Sequence, residues 1–524
     1  MLLADVVATS AAVGATRSRA AKARALADLL AATAPAEVGP VTAWLAGDTL
    51  QGRVGIGWRR LSAGHAAPTD TPGLTVQEVD AALAGLAATS GPGSEARRNT
   101  LLAGLLGAAT ADEQAFLVRL LTGELRQGAL EGVMLDALAT AAAVPPAALR
   151  RAFMLSGSLP RAAATALQSG EEGLAAVRLE VGRPLRPMLA SPGSSLAEAL
   201  ADMGPDVTVE HKLDGARIQV HRDGEQVRVW TRTLREVTDR VPELVEQVRS
   251  LPCTSAVLDG ETLALDDDGR PRAFQDTMSR FGSDSPAGRG GGADEAVLLS
   301  PFLFDLLHLD GRDLLDDPLH ERLDALAGLL ANDDHAPLRM PGTRRPSTEQ
   351  AGQVLADALA AGHEGVVVKD LAASYAAGRR GKAWQKVKPV HTLDLVVIGV
   401  EHGSGRRTGT LSNIHLGARD PDGGDPVMVG KTFKGMTDEL LAWQTQTFPR
   451  HARTQEPWGL LLRPELVVEI ALDGAQRSVR YPGGVALRFA RVLRYRPDKT
   501  AAEADTVDAV RALLHDSGDS SGHD

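Results

Sequence analysis

The sequence predicts a chain of several domains, with an all-α region first, an α+β region next and a small β-barrel last. Three observations predict this order. Ala- and Leu-rich segments with helical spacing fill residues 1–190, strand-like alternation with two helical stretches follows, and only short strand-sized runs remain after residue 389. A length of 524 residues with 44% hydrophobic residues suffices for several buried cores and excludes a wholly disordered chain.

The helical prediction for residues 1–190 depends on the spacing of apolar and capping residues. TRSRAAKARALADLL (16–30) has basic residues on one side of a helix and Leu and Ala on the other. In TADEQAFLVRLL (110–121), Thr110 and Glu113 have the spacing of a capping box, and the apolar residues after them recur with the helical period. We expect the apolar positions to form the core and the Arg and Lys residues between them to form a solvated face.

Strands dominate the region 191–389. RIQVHRDGEQVRVWT (217–231) consists of two alternating runs joined through Asp223-Gly224, which predicts a hairpin. The Gly-rich stretch 283–294 is expected to be a surface insertion, since it lacks the Gly-Lys-Ser/Thr ending of a phosphate loop. Three further strands are predicted at 256–265, 297–309 and 365–370, and two helices near 318–331 and 348–361.

The region 390–512 alternates in five short segments, which suits a small barrel of the oligonucleotide-binding type, an OB-fold. These segments are DLVVIGVEHG, NIHLGAR, VMVGKTFKG, LVVEIAL and VALRFARVLRY. The remaining residues, 513–524, are polar and are expected to be a disordered tail.

The charge of the chain is unevenly distributed. The formal net charge is −11, which taken alone argues against a nucleic-acid partner. Residues 201–390 sum to −9 and residues 391–500 to +3, however, and between residues 477 and 499 seven basic residues accompany one acid, Asp498. A phosphate-binding surface is therefore compatible with the composition.

Cysteine content and hydropathy exclude other classes of protein. The single cysteine, Cys253, can form neither an intramolecular disulfide nor a Cys-rich zinc site. Asp5 interrupts the apolar N-terminal stretch and no basic residue precedes it, so no secretory signal is predicted. No uninterrupted apolar run reaches the ~18–20 residues of a membrane span. We therefore expect a cytoplasmic protein without a membrane partner.

The segment from Glu210 to Arg217 contains a candidate nucleophile. Lys212 leaves a predicted strand just before the turn at Asp214-Gly215. A lysine attacks phosphorus only when it is deprotonated, and Arg217 together with a divalent cation could supply the positive charge that lowers its pKa. Taken alone, the tetrapeptide 212–215 is short and common, and an exposed lysine beside a turn is the better explanation for it.

Acidic and basic companions strengthen the chemical interpretation. Glu261 and Glu364 lie at the ends of two other predicted strands, and paired carboxylates beside a nucleophile suit a Mg²⁺ site on a phosphate substrate. Five of the ten residues from 379 to 388 are basic, and Trp384, Lys386 and Lys388 alternate onto one strand face. A triphosphate or a DNA backbone would explain that basic run.

Taken together, seven such segments resemble the ATP-dependent DNA ligase family of the covalent nucleotidyltransferases. The N-terminal region also resembles the helical DNA-binding domain of the larger ligases, through SRAAKARALADLL and TGELRQGALEG (122–132). The seven segments occur in the order KLDGAR (212–217), TRTLREVT (231–238), LDGE (258–261), FLFDLLHLDG (302–311), EGVVVKD (364–370), WQKVK (384–388) and LRFARVLRYRPDK (487–499).

The resemblance implies a role for each matching residue. Lys212 would be the adenylylated nucleophile, and Glu261 and Glu364 would hold the metal. The nucleotide contacts implied are Glu210 against the adenine, Phe304 stacked on it, Arg217 and Arg232 at the ribose and phosphates, and Arg380, Lys386 and Lys388 at the phosphates. The residues implied to close over the pyrophosphate are Arg488, Arg491, Asp498 and Lys499. Phe302 in place of Phe304, and Arg379 in place of Arg380, are both open alternatives.

The function implied is the sealing of nicks in duplex DNA with ATP and Mg²⁺, through lysyl-AMP, then DNA-adenylate, then attack by the 3′-hydroxyl. A monomer that encircles DNA and is associated with the nucleoid is also implied. An RNA ligase or a GTP-using capping enzyme shares the lysine motif, and a non-catalytic DNA-binding or end-bridging protein is the alternative from another class. An NAD-dependent ligase is disfavoured because one cysteine cannot build its four-cysteine zinc finger.

Overall fold

The structure is a computed structural model that describes residues 1–52, 54, 56, 61, 67–125, 127, 131–272, 274–281, 298–377, 382–388, 391–404 and 407–514. Its N-terminal region is helical, and the helices share one hydrophobic core. The helices described there are α1 (Leu3–Ala15), α2 (Arg19–Ala31), α3 (Val38–Leu45), α4 (Val76–Ala88), α5 (Ser94–Gly107), α6 (Ala111–Leu121), α7 (Glu131–Ala141), α8 (Pro146–Ser156) and α9 (Leu159–Ala176).

Local sequence explains how these helices begin and pack. The Thr110 side chain accepts a hydrogen bond from the Glu113 N–H, and the Glu113 carboxylate accepts one from the Thr110 N–H at 2.8 Å. Helix α6 thus begins with the predicted capping box, and Phe116 behind it is fully buried. On the basic side of α2, Arg19 is exposed to solvent as predicted, and it pairs there with Asp136 of α7 at 2.7 Å.

The middle region combines helices and strands at the predicted positions, including the hairpin at Asp223-Gly224. Its helices are α10 (Leu196–Met203), α11 (Pro242–Arg249), α12 (Phe274–Phe281), α13 (Leu319–Leu329) and α14 (Thr348–Ala360). Its strands are β1 (Ser191–Pro192), β2 (Val207–Lys212), β3 (Ala216–Asp223), β4 (Gln226–Thr231), β5 (Ser255–Ala264), β6 (Leu299–Leu309), β7 (Arg312–Asp313), β8 (Gly342–Arg344), β9 (Gly365–Asp370) and β10 (Trp384–Val387).

Two five-stranded sheets form the centre of this region. Their strand orders are β1-β10-β9-β2-β8 and β4-β3-β5-β6-β7. In the first sheet Lys212 of β2 lies opposite Gly365 of β9, and in the second Arg217 of β3 lies opposite Glu261 of β5. The chain passes from one sheet to the other between residues 212 and 216, so Lys212 ends the first sheet where the second begins.

The C-terminal region is rich in strands. Seven strands form a sheet in which β13-β12-β11-β15-β14 are neighbours and β16 joins β11 to β19, while β17 and β18 form a separate hairpin. Its elements are β11 (His391–His402), β12 (Leu411–Ala418), β13 (Val427–Thr432), α15 (Asp438–Thr447), β14 (Ala452–Glu456), β15 (Gly459–Leu462), β16 (Val467–Leu472), β17 (Gly474–Arg477), β18 (Val485–Arg488), β19 (Arg491–Tyr495) and α16 (Val507–Arg511).

Two sequence predictions for this region were wrong. VALRFARVLRY is not one strand, because Phe489 adopts a φ of 54°, which ends β18 and redirects the chain into β19. The expected number of five strands was too low, since the short strands β14, β15 and β17 were not predicted and the last predicted strand is two. The helix α15 between β13 and β14 was not predicted either.

Some predictions lie outside the described residues. These are the insertion at 283–294, the two arginines Arg379 and Arg380, and residues 515–524 of the expected tail. Among the helices that are described, none is long and apolar enough to cross a membrane.

Candidate active site

A cleft of about 510 Å³ opens where the two central sheets meet. Its walls include parts of β2, β3, β5, β6, β9 and β10, helix α12, the segment after β4 and the residues just before β1. Seven of the residues singled out in the sequence line it, and they are Glu210, Lys212, Arg217, Arg232, Glu261, Phe304 and Lys386. Side chains scattered over 177 positions of sequence are therefore brought to one site.

The backbone holds Lys212 at the junction of the sheets. Its carbonyl oxygen accepts a hydrogen bond from the Glu364 N–H at 2.9 Å. Gly215 then passes so close to β5 that a Cβ atom at this position would lie 2.4 Å from the Thr262 carbonyl oxygen. Only glycine fits there, which explains why a glycine follows Asp214 in the turn after the lysine.

The Lys212 ammonium group is hydrogen-bonded to the Glu364 carboxylate. The other oxygen of that carboxylate accepts a hydrogen bond from Lys388 Nζ at 2.7 Å. Burial raises the pKa of Glu364, but the two ammonium groups outweigh it and hold this pKa below its usual value. The pKa of Lys386 is lowered by burial and by repulsion from Lys212 and Lys388. Positive charge is thus concentrated around one carboxylate.

Glu261 is a second acidic side chain near Lys212. Burial raises the pKa of Glu261 to about 7, although the positive charges of Arg217 and Lys212 oppose this shift. A carboxylate with this pKa is half ionised near neutral pH, and a bound cation would favour its ionised form. Lys212 therefore interacts electrostatically with two acidic side chains, Glu261 and Glu364.

Aromatic rings and a buried ion pair also line the cleft. Phe304 lines the cleft, and its ring meets that of Trp384 edge to face with centroids 5.9 Å apart. Lys369 Nζ lies 4.2 Å from the centroid of Phe304 and 2.5 Å from Glu210 Oε2. Burial raises the pKa of Glu210 despite this lysine. Phe302 packs against the same core but does not line the cleft.

Arg217 is a wall residue of the cleft that is held in place by several hydrogen bonds. It donates two hydrogen bonds to Asp259, at 3.0 and 2.6 Å, and one to the Met188 carbonyl oxygen at 2.6 Å. The Tyr375 hydroxyl donates to the same aspartate at 2.7 Å and accepts from the Met188 N–H at 3.0 Å. Burial and the neighbouring Asp259 raise the pKa of Tyr375, so its hydroxyl stays protonated.

The chain is similar to known proteins over nearly its whole length. Three family models match the chain: DNA ligase N terminus over residues 59–139, ATP dependent DNA ligase domain over residues 187–388, and ATP dependent DNA ligase C terminal region over residues 407–499. A Probable DNA ligase of Rhodococcus jostii (strain RHA1) is 63% identical over 514 residues, which are 98% of this chain and 100% of the relative. The chain belongs to the ATP-dependent DNA ligase family.

Other relatives agree with that membership. A Probable DNA ligase of Saccharopolyspora erythraea is 63% identical over 513 residues, 98% of each chain. A solved structure titled Pmar-Lig_Pre. covers 94% of this chain and 99% of its own with a TM-score of 0.61 at 17% identity, and this likeness concerns the fold alone. The resemblance inferred from the motifs is thereby confirmed.

In this ligase, one part of the last motif reaches the cleft and another does not. Arg488 Nη1 lies 3.1 Å from Asp214 Oδ2, two residues after Lys212. Asp473 Oδ1 lies 3.9 Å from Arg491 Nη1, and its other oxygen lies 3.6 Å from Lys388 Nζ. Asp498 and Lys499 lie elsewhere, since Asp498 accepts hydrogen bonds from Arg496, and Lys499 Nζ is 2.6 Å from Asp394.

Three site residues of the ligase were not assigned roles from the sequence. Lys369, Asp259 and Tyr375 are buried and support Glu210 and Arg217 from behind. Lys369 could have been found from the sequence, because it is a lysine at the end of the apolar strand GVVVK. Tyr375 offered none, because its importance comes from a contact with Asp259, 116 positions earlier.

The residues present also fit a Mg²⁺ ion held jointly with a phosphate substrate. Glu261 and Glu364 both interact with the Lys212 ammonium, and the negative charge of Glu364 contributes to the raised pKa of Glu261, so the two carboxylates lie close together. Among the described residues, no group of three or more His, Cys, Asp or Glu side chains could hold a metal by itself. Two carboxylates suffice for Mg²⁺, which takes few protein oxygens and completes its shell with phosphate and water.

Proposed function

We propose that this ligase seals nicks in duplex DNA and that Lys212 is the residue that carries AMP. The observation that carries the proposal is that Lys212 lines one cleft together with two kinds of group. One kind is the buried aromatic and ionic side chains around Phe304 and Glu210, and the other is the charged set of Glu261, Glu364 and the lysines. This arrangement suits a nucleotide whose base and triphosphate occupy opposite ends.

The first step is nucleophilic attack on ATP. The neutral amine of Lys212 attacks the α-phosphorus, an N–P bond forms, the α–β P–O bond breaks, and pyrophosphate leaves with that electron pair while the amine loses a proton to water. Lys386 and Lys388 would contact the phosphates and stabilise the charge that develops on the leaving group. Arg380, or Arg379 beside it, is proposed for the same purpose, and Arg232 for the phosphates or ribose.

The nucleotide's base and ribose would bind at the opposite end of the cleft. We propose that Phe304 stacks on the adenine and that Glu210, with Lys369 behind it, contacts the base edge. Arg217 is preorganised for the ribose and phosphates by Asp259, because its guanidinium cannot turn away without breaking two hydrogen bonds. Phe304 is favoured over Phe302 because only Phe304 of the two lines the cleft.

Glu261 and Glu364 are proposed to hold Mg²⁺. When bound, this ion would offset negative charge on the phosphates of the nucleotide. Glu364 contacts Lys212 and Lys388 in the structure, so binding of the ion would require these ammonium groups to shift.

The later steps use the DNA. AMP passes from Lys212 to the 5′-phosphate of a nick, and the 3′-hydroxyl then attacks that phosphate and releases AMP. We propose a helical DNA-binding domain over residues 1–190, an adenylation domain over 191–389 and an OB-fold domain over 390–512. The seven-stranded sheet and its short helix α15 support the last assignment. A monomer encircling the duplex, acting at the nucleoid in the cytoplasm, completes the proposal.

Arg488, Arg491, Asp498 and Lys499 are proposed to close over the pyrophosphate during the first step. The Arg488–Asp214 contact supports this for the arginine. Asp498 and Lys499 would have to exchange their contacts with Arg496 and Asp394 for contacts at the cleft, which implies movement of the C-terminal region.

The test is the transfer of label from α-labelled ATP to the denatured protein in the presence of Mg²⁺. Lys212→Ala should abolish labelling, whereas Lys382→Ala, which removes an exposed lysine paired with Asp202, should not. Labelling of the Lys212→Ala protein would contradict the assignment. Competition by unlabelled GTP or NAD, and nicked RNA in place of DNA, separates this function from capping enzymes and RNA ligases. Binding of nicked DNA with no labelling at all would indicate a non-catalytic end-bridging protein.

A further inference from the structure

Helix α8 of the N-terminal region belongs to two hydrophobic cores at once. Leu149 and Phe153 are buried in the core shared by the N-terminal helices. Met154 and Leu155, which directly follow Phe153 and therefore point to another side of the helix, are buried in a different core. A helix that only served the DNA-binding region would need just the first of these faces.

The second core is the one that supports the cleft. Besides Met154 and Leu155 it contains Phe304, Trp384 and Tyr375. Phe304 and Trp384 line the cleft itself, and Tyr375 holds the Asp259 carboxylate that orients Arg217. The N-terminal region therefore contributes side chains to the packing directly behind the proposed nucleotide site.

Met154 also makes two directed contacts with this part of the molecule. Its sulfur accepts a hydrogen bond from the Ala377 N–H at 3.1 Å, two residues after Tyr375. Its carbonyl oxygen accepts a hydrogen bond from the Arg186 N–H at 2.9 Å, in the segment that leads to Met188. Met154 thus bonds to two segments: the one that carries Tyr375 and the one that carries Met188. These two segments are themselves joined, because the Met188 N–H donates to the Tyr375 hydroxyl.

A second contact from the same helix reaches the neighbouring loop. Arg151 donates two hydrogen bonds to the Asp316 carboxylate, both at 2.6 Å. Leu315 directly precedes Asp316, and its carbonyl oxygen accepts a hydrogen bond from the Tyr375 N–H at 2.8 Å. At the end of α8, Gly157 has a φ of +66°, and a Cβ atom there would lie 2.7 Å from the Pro184 carbonyl oxygen.

We infer that helix α8 is a positioning element of the nucleotide site, with Met154 as its key residue. It holds the segment 375–377 so that Tyr375 keeps Asp259 and Arg217 in place for ATP. The helical region would then assist the first step, which needs no DNA, in addition to binding DNA. This inference depends on the proposed binding of ATP in the cleft.

The experiment compares two alanine variants of the same helix in the full-length protein. Met154→Ala removes the side chain that faces the cleft's core, and Leu149→Ala removes one that faces the N-terminal core. For each, the KM for ATP and the maximal rate of lysyl-AMP formation are measured without DNA, well below the unfolding temperature. The Kd for nicked DNA is measured in parallel.

Met154→Ala is expected to raise the KM for ATP by a factor on the order of five, with the Kd for DNA unchanged. Leu149→Ala is expected to lower the unfolding temperature but leave this KM at the wild-type value. Equal KM values in the two variants would overturn the inference. If Met154→Ala does not fold, Met154→Leu is used instead, because leucine conserves the side-chain volume but lacks the sulfur acceptor. A KM for ATP raised about twofold in this variant supports the role of Met154, and an unchanged KM overturns it. Wild-type protein that takes up no label would instead refute the proposed function.

Discussion

Arg488 Nη1 lies 3.1 Å from Asp214 Oδ2, so the C-terminal region touches the turn that follows the proposed nucleophile. We expect Arg488→Ala to slow lysyl-AMP formation by about tenfold or more, a loss of about 1.4 kcal/mol, because the contact orients the C-terminal region over the cleft. The measurement is a single-turnover time course with labelled ATP and Mg²⁺.

Arg494→Ala is the matched control for Arg488→Ala. Arg494 is an exposed arginine of the same region that pairs with Glu469 at 2.7 Å and has no contact with the cleft. Sealing of a nick that already carries AMP should be nearly unchanged in the Arg488 variant. Equal slowing of both reactions would show that the contact is not specific to the first step.

Removing either proposed metal ligand should raise the requirement for Mg²⁺. We expect Glu261→Gln and Glu364→Gln to raise the half-saturating Mg²⁺ concentration for nick sealing by about tenfold or more, since each removes a carboxylate oxygen. The effect is measured by recording the sealing rate at increasing Mg²⁺ concentrations. Glu198→Gln, which changes an exposed side chain of helix α10, is the control. Full sealing rates at limiting Mg²⁺ in either variant would exclude that residue as a ligand.

The two phenylalanines of β6 should differ in their effect on ATP binding. Phe304→Ala removes a ring that lines the cleft, and the loss of stacking, ~1–3 kcal/mol per base, should raise the KM for ATP about tenfold. Phe302→Ala removes a ring of the same size that lies outside the cleft wall, so its KM should stay near the wild-type value. The reverse pattern would assign the stacking role to Phe302.

His221 should make the fold sensitive to acid. Burial lowers the pKa of His221 to about 3 from 6.5, and its Nδ1 accepts the Gly182 N–H at 2.9 Å. The unfolded chain takes up this proton near pH 6.5 and the folded chain only near 3, so falling pH favours unfolding in that interval. Protonation of His221 should therefore lower the free energy of unfolding by about 1.4 kcal/mol for each pH unit between pH 6 and pH 4.

The measurement for His221 is urea unfolding at several pH values. His221→Gln should lose less stability than the wild type as the pH falls from 6 to 4, because its side chain does not titrate there. His402→Gln, at an exposed position, should follow the wild type. Parallel pH profiles for His221→Gln and wild type would contradict the prediction.

The buried pair of Arg322 and Asp305 should be costly to break. Both side chains are fully buried, with bonds of 2.7 and 3.0 Å between them. Arg322→Met leaves the Asp305 charge uncompensated and should destabilise the fold by about 3–5 kcal/mol, whereas Arg312→Met at the exposed pair with Asp317 should cost about 1 kcal/mol or less. Denaturant midpoints of the two variants compare these costs, and similar midpoints would refute the distinction.

The local sequence pattern was sufficient to predict a structural element where the contacts that form it are close in sequence. The capping box at Thr110 and Glu113, the turn at Asp223-Gly224, the strand that contains Glu261 and the strand that begins directly after Glu364 were all predicted, because each depends on neighbouring residues. The break at Phe489 was not predicted, since nothing in an alternating apolar run indicates a positive φ. Strand period determines which face a residue occupies, but it does not show where a chain changes direction.

The sequence by itself determined, through its motifs, membership of the ligase family and the residues proposed for its chemistry. The tertiary structure decided which groups contact those residues and their supports: Lys369 pairs with Glu210, Asp259 and Tyr375 hold Arg217, and Met154 of the N-terminal region bonds to the segment after Tyr375. The physical reason is that a reactive side chain is marked by its own type and spacing. The residues that orient it are marked only by packing and hydrogen bonds between segments distant in sequence, and those exist only once the chain has folded.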